Sequence, residues 1–206
     1  MTISENAYQE IKQMIISGEL PAGKKISQLK LSRTLNCSPL PIVEAMRRLE
    51  SEGFLLKEGR KMAIVRKFTP EEMEGLYLVR EGLESVSARL CAKNITDEQV
   101  MRLRKLSAQY EAAVQSGNEH AFRRLEIEIH RAIMENSGCS FILEELEKLF
   151  LIEKTILANT NPVVSSAYYS HQAIIEAIAN HDAEGAEYLM KKHIQNALRE
   201  FLQLIK

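Results

Sequence analysis

Residues 31–53 read LSRTLNCSPLPIVEAMRRLESEG. This stretch predicts two short helices separated by a tight turn, because Asn36 suits the left-handed exit of one helix and Ser38 suits the N-cap of the next. Pro39 and Pro41 fall in the first turn of that next helix, where a missing N–H costs little. Apolar residues then recur at helical spacing until Gly53, at Ile42, Ala45, Met46 and Leu49. Two helices joined in this way are typical of a helix-turn-helix.

The flanking residues extend this pattern to a winged helix-turn-helix. A helix is predicted before it, from the helical spacing of Tyr8, Ile11 and Ile15 and the stop at Ser17-Gly18. After it, two β-prone stretches, 54–57 and 62–66, flank Glu58-Gly59-Arg60-Lys61, which indicates a hairpin with a basic tip. Residues 1–68 are therefore predicted to form a DNA-binding domain of three helices and a β-hairpin wing, with the third helix as the recognition helix.

From Thr69 onward the sequence predicts only helices. Thr69-Pro70-Glu71-Glu72 and Thr96-Asp97-Glu98-Gln99 are capping boxes that start the first two. Four more are predicted from Asn118, from Ser140, over about 165–180 and from Asp182, with a longer loop at 159–164. The fold class is thus mainly α: the winged helix-turn-helix, followed over 69–206 by a six-helix antiparallel bundle.

Composition and charge agree with an intracellular binding protein. Residues 1–68 carry twelve Lys and Arg against seven Glu, whereas residues 69–206 carry fifteen against twenty-one Asp and Glu. A basic first third joined to an acidic remainder favours a DNA-binding module with a second domain of another role. No apolar run approaches the ~20 residues of a membrane span. The start lacks the features of a signal peptide, and the three cysteines are widely spaced, so a cytoplasmic location without membrane contact is expected.

The histidines form a candidate metal site. Glu126 and His130 are four residues apart, which places both on one face of one helix. His171 and His193 lie among apolar residues on two other predicted helices. Taken singly, histidines in such positions are usually core or boundary residues with their own hydrogen-bond partners. If the four converge, three nitrogens and one carboxylate suit Zn²⁺, Ni²⁺, Mn²⁺ or Fe²⁺. The remaining two, His120 and His181, are predicted to be surface residues.

Several motifs together resemble a known family. Residues 20–26 (LPAGKKI), 31–38 and 41–53 are similar to the DNA-binding domain of the GntR family. Four downstream motifs resemble the C-terminal (FCD) domain of the FadR subfamily. They are Val79–Glu84, Glu126-x-x-x-His130, residues 171–178 and Met190–His193. The resemblance covers essentially the whole chain. Six C-terminal helices rather than seven would place it in the VanR-like branch.

The resemblance implies a metal-loaded effector domain. It assigns Glu126, His130, His171 and His193 as ligands of a divalent transition metal, zinc or nickel, although the family commonly has aspartate where Glu126 stands. Arg80 resembles an arginine that binds a small carboxylate effector, and the alternative is an ion pair with Glu84 one turn away. A homodimer on palindromic operator DNA is also implied.

The recognition helix departs from the family pattern. Two arginines that commonly contact operator DNA are replaced by Pro39 and Val43. The DNA-contacting residues predicted instead are Lys30, Arg33, Ser38, Arg60 and Lys61. Arg47 and Arg48, further along the helix, are weaker candidates.

Three functions remain open at this stage. The first is a transcription regulator, a repressor by the family pattern, whose operator binding responds to an organic acid at the metal site. The second is a metal-dependent enzyme. It is not expected, because the sequence offers no second acid–base group at a spacing that would place it beside the metal ligands. An enzyme would also leave the basic wing unexplained. The third, kept open by Pro39 and Val43, is a metabolite sensor that has lost sequence-specific DNA binding.

Overall fold

The structure is a computed structural model that describes residues 2–157 and 168–204. The chain divides into two compact units. The first contains the residues up to Thr69, and the second contains Pro70–Leu149 and the described residues from 168 onward. The end of the helix that begins at Ser140, from Phe150 on, groups with the first unit. The domain boundary at 68/69 stays a prediction.

The first unit is a winged helix-turn-helix. Its elements are α1 (Ile3–Ile16), β1 (Lys25–Ser27), α2 (Gln28–Thr34), α3 (Pro39–Ser51), β2 (Leu55–Glu58) and β3 (Met62–Val65). The sheet is antiparallel with the order β1-β3-β2. The wing is therefore larger than the predicted hairpin, because β1 pairs with the outer edge of β3 (Ile26 opposite Ala63). Its core joins all three helices to the sheet through buried residues that include Ile11, Leu31, Ile42, Leu49 and Val65.

Local chemistry explains the helix ends around the turn. Asn36 has φ 47°, the left-handed conformation predicted for it, and the Ser27 side chain accepts a hydrogen bond from the Lys30 amide at the start of α2. Ser38 occupies the N-cap of α3 but makes no side-chain capping bond. An N-cap oxygen normally accepts from the second or third helical N–H, and the third helical residue, Pro41, has none. Sequence reasoning did not anticipate this uncapped start.

The second unit is helical throughout its described residues. It contains α4 (Pro70–Asn94), α5 (Asp97–Gln115), α6 (Glu119–Asn136), the part of α7 (Ser140–Leu157) up to Leu149, α8 (Tyr168–Ala179) and α9 (Ala183–Leu204). Helix α4 packs against α6, α8 and α9, and α5 packs against α6 and α8. The capping box at Thr96 and the Asn118 cap form as predicted. The Asp182 carboxylate accepts from the Gly185 amide at 2.9 Å.

These observations confirm the mainly helical fold class. The loop predicted for 159–164 lies outside the described residues. Among the helices that are described, none is both long enough and apolar enough to cross a membrane.

Candidate metal centre and DNA-binding surface

Four helices of the second unit bring one cluster of polar side chains into its core. Helix α6 supplies Glu126 and His130, α8 supplies His171 and α9 supplies His193. The three histidines are each 1% exposed, and Glu126 is half-buried. Helix α4 contributes two further charged residues, Arg80 and Glu84, which are buried as well. The sequence thus places these groups within a packed interior, where polar atoms need partners.

The predicted ligand atoms lie close together. His130 Nε2 is 3.2 Å from His171 Nε2 and 3.1 Å from His193 Nε2. One ligand atom from each of Glu126, His130, His171 and His193 lies within 4.8 Å of the others. The structure therefore brings together all four residues that the sequence singled out, with three imidazole nitrogens facing one point.

The protonation states favour a cation at that point. His130 Nδ1 hydrogen-bonds to Glu84 Oε2, so the proton of a neutral imidazole sits on Nδ1 and leaves a lone pair on Nε2. Burial lowers the pKa of His171 and of His193 well below the usual value of 6.5, and the neighbouring histidines lower both further. A neutral imidazole with a lone pair directed at this point is the form that binds a metal ion.

The spacing also fits one ion. Two nitrogens bound to Zn²⁺ at about 2.0–2.1 Å lie roughly 3.3 Å apart in a tetrahedron and roughly 2.9 Å apart at adjacent corners of an octahedron. The observed separations of 3.1 and 3.2 Å fall between these values. The donor set, three imidazoles and a carboxylate, suits Zn²⁺ and Ni²⁺. The residues present therefore fit a divalent transition metal.

Arg80 lies beside this cluster. Its Nε donates to Glu84 Oε1 at 2.7 Å, and its guanidinium lies 4.9 Å from the centre of the Tyr77 ring. Its positive charge is one of the causes that lower the pKa of His193, so it acts at short range on the histidines. The sequence left two interpretations of Arg80 open, effector binding and an ion pair with Glu84. The ion pair is present, and it is buried rather than exposed.

The contact between Glu84 and the histidine cluster was not predicted from the sequence, which indicated Glu84 only as an ion-pair partner of Arg80. Glu84 accepts from both Arg80 and His130 and is 1% exposed. Burial alone would raise the pKa of Glu84, but the positive charge of Arg80 and the hydrogen bonds from His130 and Arg80 outweigh burial and lower that pKa to about 2. The carboxylate is ionised, and it fixes the ring of His130. A signal was present in the sequence, because Glu84 stands at helical spacing from the apolar residues Ala88 and Cys91.

The predicted DNA-contacting residues lie on the surface of the first unit. All five are exposed: Lys30, Arg33, Ser38, Arg60 and Lys61. Arg48 is engaged inside the unit, since it pairs with Glu5 at 2.9 Å and lies over the Tyr8 ring. Arg47 is exposed and makes no ion pair with any described residue. The structure therefore separates the two arginines that the sequence could not rank.

Two family descriptions match the chain. The one named "Bacterial regulatory proteins, gntR family" matches residues 3–65, and the FCD domain matches residues 75–196. The fold is that of solved regulators: McbR/YncC of E. coli superposes with a TM-score of 0.82 at 18% identity, covering 100% of both chains. A GntR-type regulator of a Rhodococcus species gives a TM-score of 0.77 over 97% of both chains at 18% identity.

Two curated relatives are named as transcriptional repressors of operons. The chain is 25% identical to the probable D-xylose utilization operon repressor of Paenarthrobacter nicotinovorans, over 94% of this chain and 86% of that protein. It is 29% identical to the gluconate operon repressor of Bacillus licheniformis, over 84% of this chain and 70% of that protein. The chain belongs to the GntR family of DNA-binding transcriptional regulators, with an FCD domain after its winged helix-turn-helix.

Proposed function

We propose that the protein is a homodimeric, cytoplasmic repressor whose operator binding responds to a small organic acid bound in the second unit at a divalent-metal site. One observation carries the proposal: the convergence of three buried imidazole nitrogens and a carboxylate on one point. The names of relatives that repress the D-xylose and gluconate operons support repression of a catabolic operon. Gluconate is itself a small carboxylate.

Glu126, His130, His171 and His193 would hold the metal. When bound, a zinc or nickel ion supplies Lewis-acid positions that accept an oxygen ligand of the effector. Glu84 keeps the His130 ring oriented through its Nδ1 proton. The low pKa values of His171 and His193 keep both rings neutral at physiological pH, which is the state that binds a metal.

Arg80 would recognise the carboxylate of the effector. A guanidinium presents several N–H groups in a planar fork and binds carboxylates through two of them. Because Arg80 is buried and is linked to His130 through Glu84, an acid that binds Arg80 is held next to the histidine cluster. The effector switches the protein only if it binds one arrangement of the dimer better than the other.

The decisive experiment measures DNA binding with and without metal. The probe is the duplex flanking the protein's own gene, in a gel-shift assay at fixed salt. We expect binding by the metal-loaded protein, loss of binding in the double variant Arg60→Ala/Lys61→Ala with its metal content unchanged, and a changed affinity after chelation. Chelation that leaves the affinity unchanged within twofold would contradict coupling between the site and the operator.

The enzyme and sensor alternatives predict different results in the same assay. A metal-dependent enzyme would turn over a small acid and bind DNA at no salt concentration. A sensor without sequence-specific binding would bind random and flanking duplexes equally, with a steep salt dependence. Mass spectrometry of a small molecule that co-purifies with the wild type and is lost from Arg80→Ala would identify the effector.

A further inference from the structure

The exposed start of the recognition helix has an unusual chemistry. The first two turns of α3, residues 39–46, read PLPIVEAM and contain no side chain that donates a hydrogen bond. Leu40 is 66% exposed there. A bidentate arginine–guanine contact, the commonest specific contact in the major groove, is therefore unavailable from these two turns.

The helix N-terminus is also poor in backbone donors. Pro39 and Pro41 occupy the first and third helical positions, so two of the first three amides are missing. A helix N-terminus that grips a phosphate uses such amides. Polar contacts with DNA must come from elsewhere, and the part that α3 inserts first is apolar.

Intramolecular contacts decide which side of α3 faces outward. Ile42 and Leu49 are fully buried in the core of the first unit. Another side faces α1, because Glu44 accepts a hydrogen bond from Ser4 and Arg48 pairs with Glu5. The remaining side carries Leu40, Val43 and Arg47, at spacings of three and four residues. Leu40 and Arg47 are exposed and Val43 is half-buried.

The charge of the first unit indicates the kind of partner that it binds. Eight exposed basic residues of the first unit make no ion pair with any described residue: Lys24, Lys30, Arg33, Arg47, Lys57, Arg60, Lys61 and Lys67. Such a set is suited to a phosphate backbone. In the major groove, the feature of a base edge that an apolar side chain recognises is the C5-methyl group of thymine.

We infer that Leu40 and Val43 recognise thymine methyl groups, so that the operator carries thymines where the start of α3 enters the major groove. The basic residues fix the position of the protein on the duplex and supply most of the affinity, whereas these two apolar side chains supply the sequence preference. This inference depends on the DNA binding of the first unit and is independent of the metal and of the effector.

The test begins with selection of duplexes from a random-sequence library by the full-length protein. Each selected thymine is then replaced by uracil, which removes only the methyl group, and the dissociation constant is measured by fluorescence anisotropy at fixed salt. We expect the wild type to lose about fourfold in affinity for each contacted methyl, the value of one buried CH₂-sized group. Replacing such a thymine–adenine pair with a 5-methylcytosine–guanine pair should retain more affinity than the unmethylated pair.

Variants assign the effect to Leu40. In Leu40→Ala the difference between thymine and uracil duplexes should fall below twofold, and Leu40→Arg should select guanine instead. Met101→Ala is the matched control, because Met101 is equally exposed (65%) but belongs to the second unit. Equal wild-type affinity for thymine and uracil duplexes would overturn the inference, as would selection of no sequence at all; neither result bears on the metal site.

Discussion

Glu84 ties together the side chains around the histidine cluster. Its two oxygens accept from different partners, Arg80 on its own helix and His130 on α6. A buried carboxylate held in this way is stable only while both partners remain, because a buried unpaired charge is costly. We regard it as a positioning residue that holds His130 in the tautomer needed for metal binding.

Replacing Glu84 with Gln should weaken metal binding by about 10–100-fold, the usual cost of removing a carboxylate partner from a ligating histidine. Competition for Zn²⁺ against a chromogenic chelator measures this directly. Glu81→Gln is the matched control, since Glu81 lies on the same helix but pairs with Lys191, outside the cluster. A variant that remains folded and binds Zn²⁺ as tightly as the wild type would show that Glu84 does not position His130.

The histidine ligands could be predicted from the sequence, whereas the contact between Glu84 and His130 could not, and the reason is physical. Glu126 and His130 are joined by helical spacing, which is a local property. The contact between Glu84 and His130 spans 46 residues and depends on how α4 packs against α6. The sequence placed Glu84 one turn after Arg80 on the same face of one helix, but it could not show that both are buried.

Among the contacts between helices, the Glu52 carboxylate links α1 to the end of α3 through hydrogen bonds. Glu52 accepts from the Tyr8 hydroxyl at 2.7 Å and from Lys12 at 3.2 Å. Burial would raise the pKa of Glu52, but these hydrogen bonds and that from Arg48 leave it below the usual 4.5. The contribution to stability is therefore present above pH 4.5 and is lost as the pH falls through the lowered pKa of the folded state.

Glu52→Gln should accordingly lower the free energy of unfolding of the first unit by about 1 kcal/mol at pH 7, the typical value for one such hydrogen-bonded group. The difference from the wild type should shrink as the pH falls below 4.5. Urea titrations at pH 7 and pH 4, followed by hydrogen exchange in peptides of α1 and α3, measure it at both values. A deficit that is equal at the two pH values would contradict the ionised state of Glu52.

The helices of both units could be predicted from caps and periodicity, whereas β1 could not. Lys25–Ser27 is only three residues long, and its partner β3 lies more than thirty residues away. Short strands are defined by such pairing rather than by their own composition. Ser38 shows that a correctly predicted N-cap position does not guarantee a capping hydrogen bond. The residue type predicts the cap, but Pro41, two positions after the helix start, lacks the amide that the Ser38 side chain would bind.

At the scale of the whole molecule, the order of the two units and the change from basic to acidic charge were visible in the sequence. The assembly could not be predicted from periodicity, because a symmetric interface leaves no periodic signature, and the homodimer was implied only by the family resemblance. We expect a homodimer with about twice the 23.4 kDa chain mass in light scattering, and protection of two half-sites about one helical turn apart on selected DNA. A single-chain mass at micromolar concentration, with one protected half-site, would contradict this assembly.

Metal removal should also lower the stability of the second unit. A ligand at one hundred times its dissociation constant stabilises the folded state by about 2.7 kcal/mol. We therefore expect chelation to lower the thermal midpoint of the wild type and to leave that of His193→Ala almost unchanged. A chelator that shifts both proteins equally would act elsewhere than at this site.

The most direct test of the metal centre is elemental analysis of protein purified without an affinity tag. We predict about one zinc or nickel ion per chain in the wild type and in His120→Ala, whose histidine is exposed and outside the cluster. His171→Ala and His193→Ala should retain well under half of that metal. A wild type that contains no transition metal and takes up neither Zn²⁺ nor Ni²⁺ would contradict the metal centre.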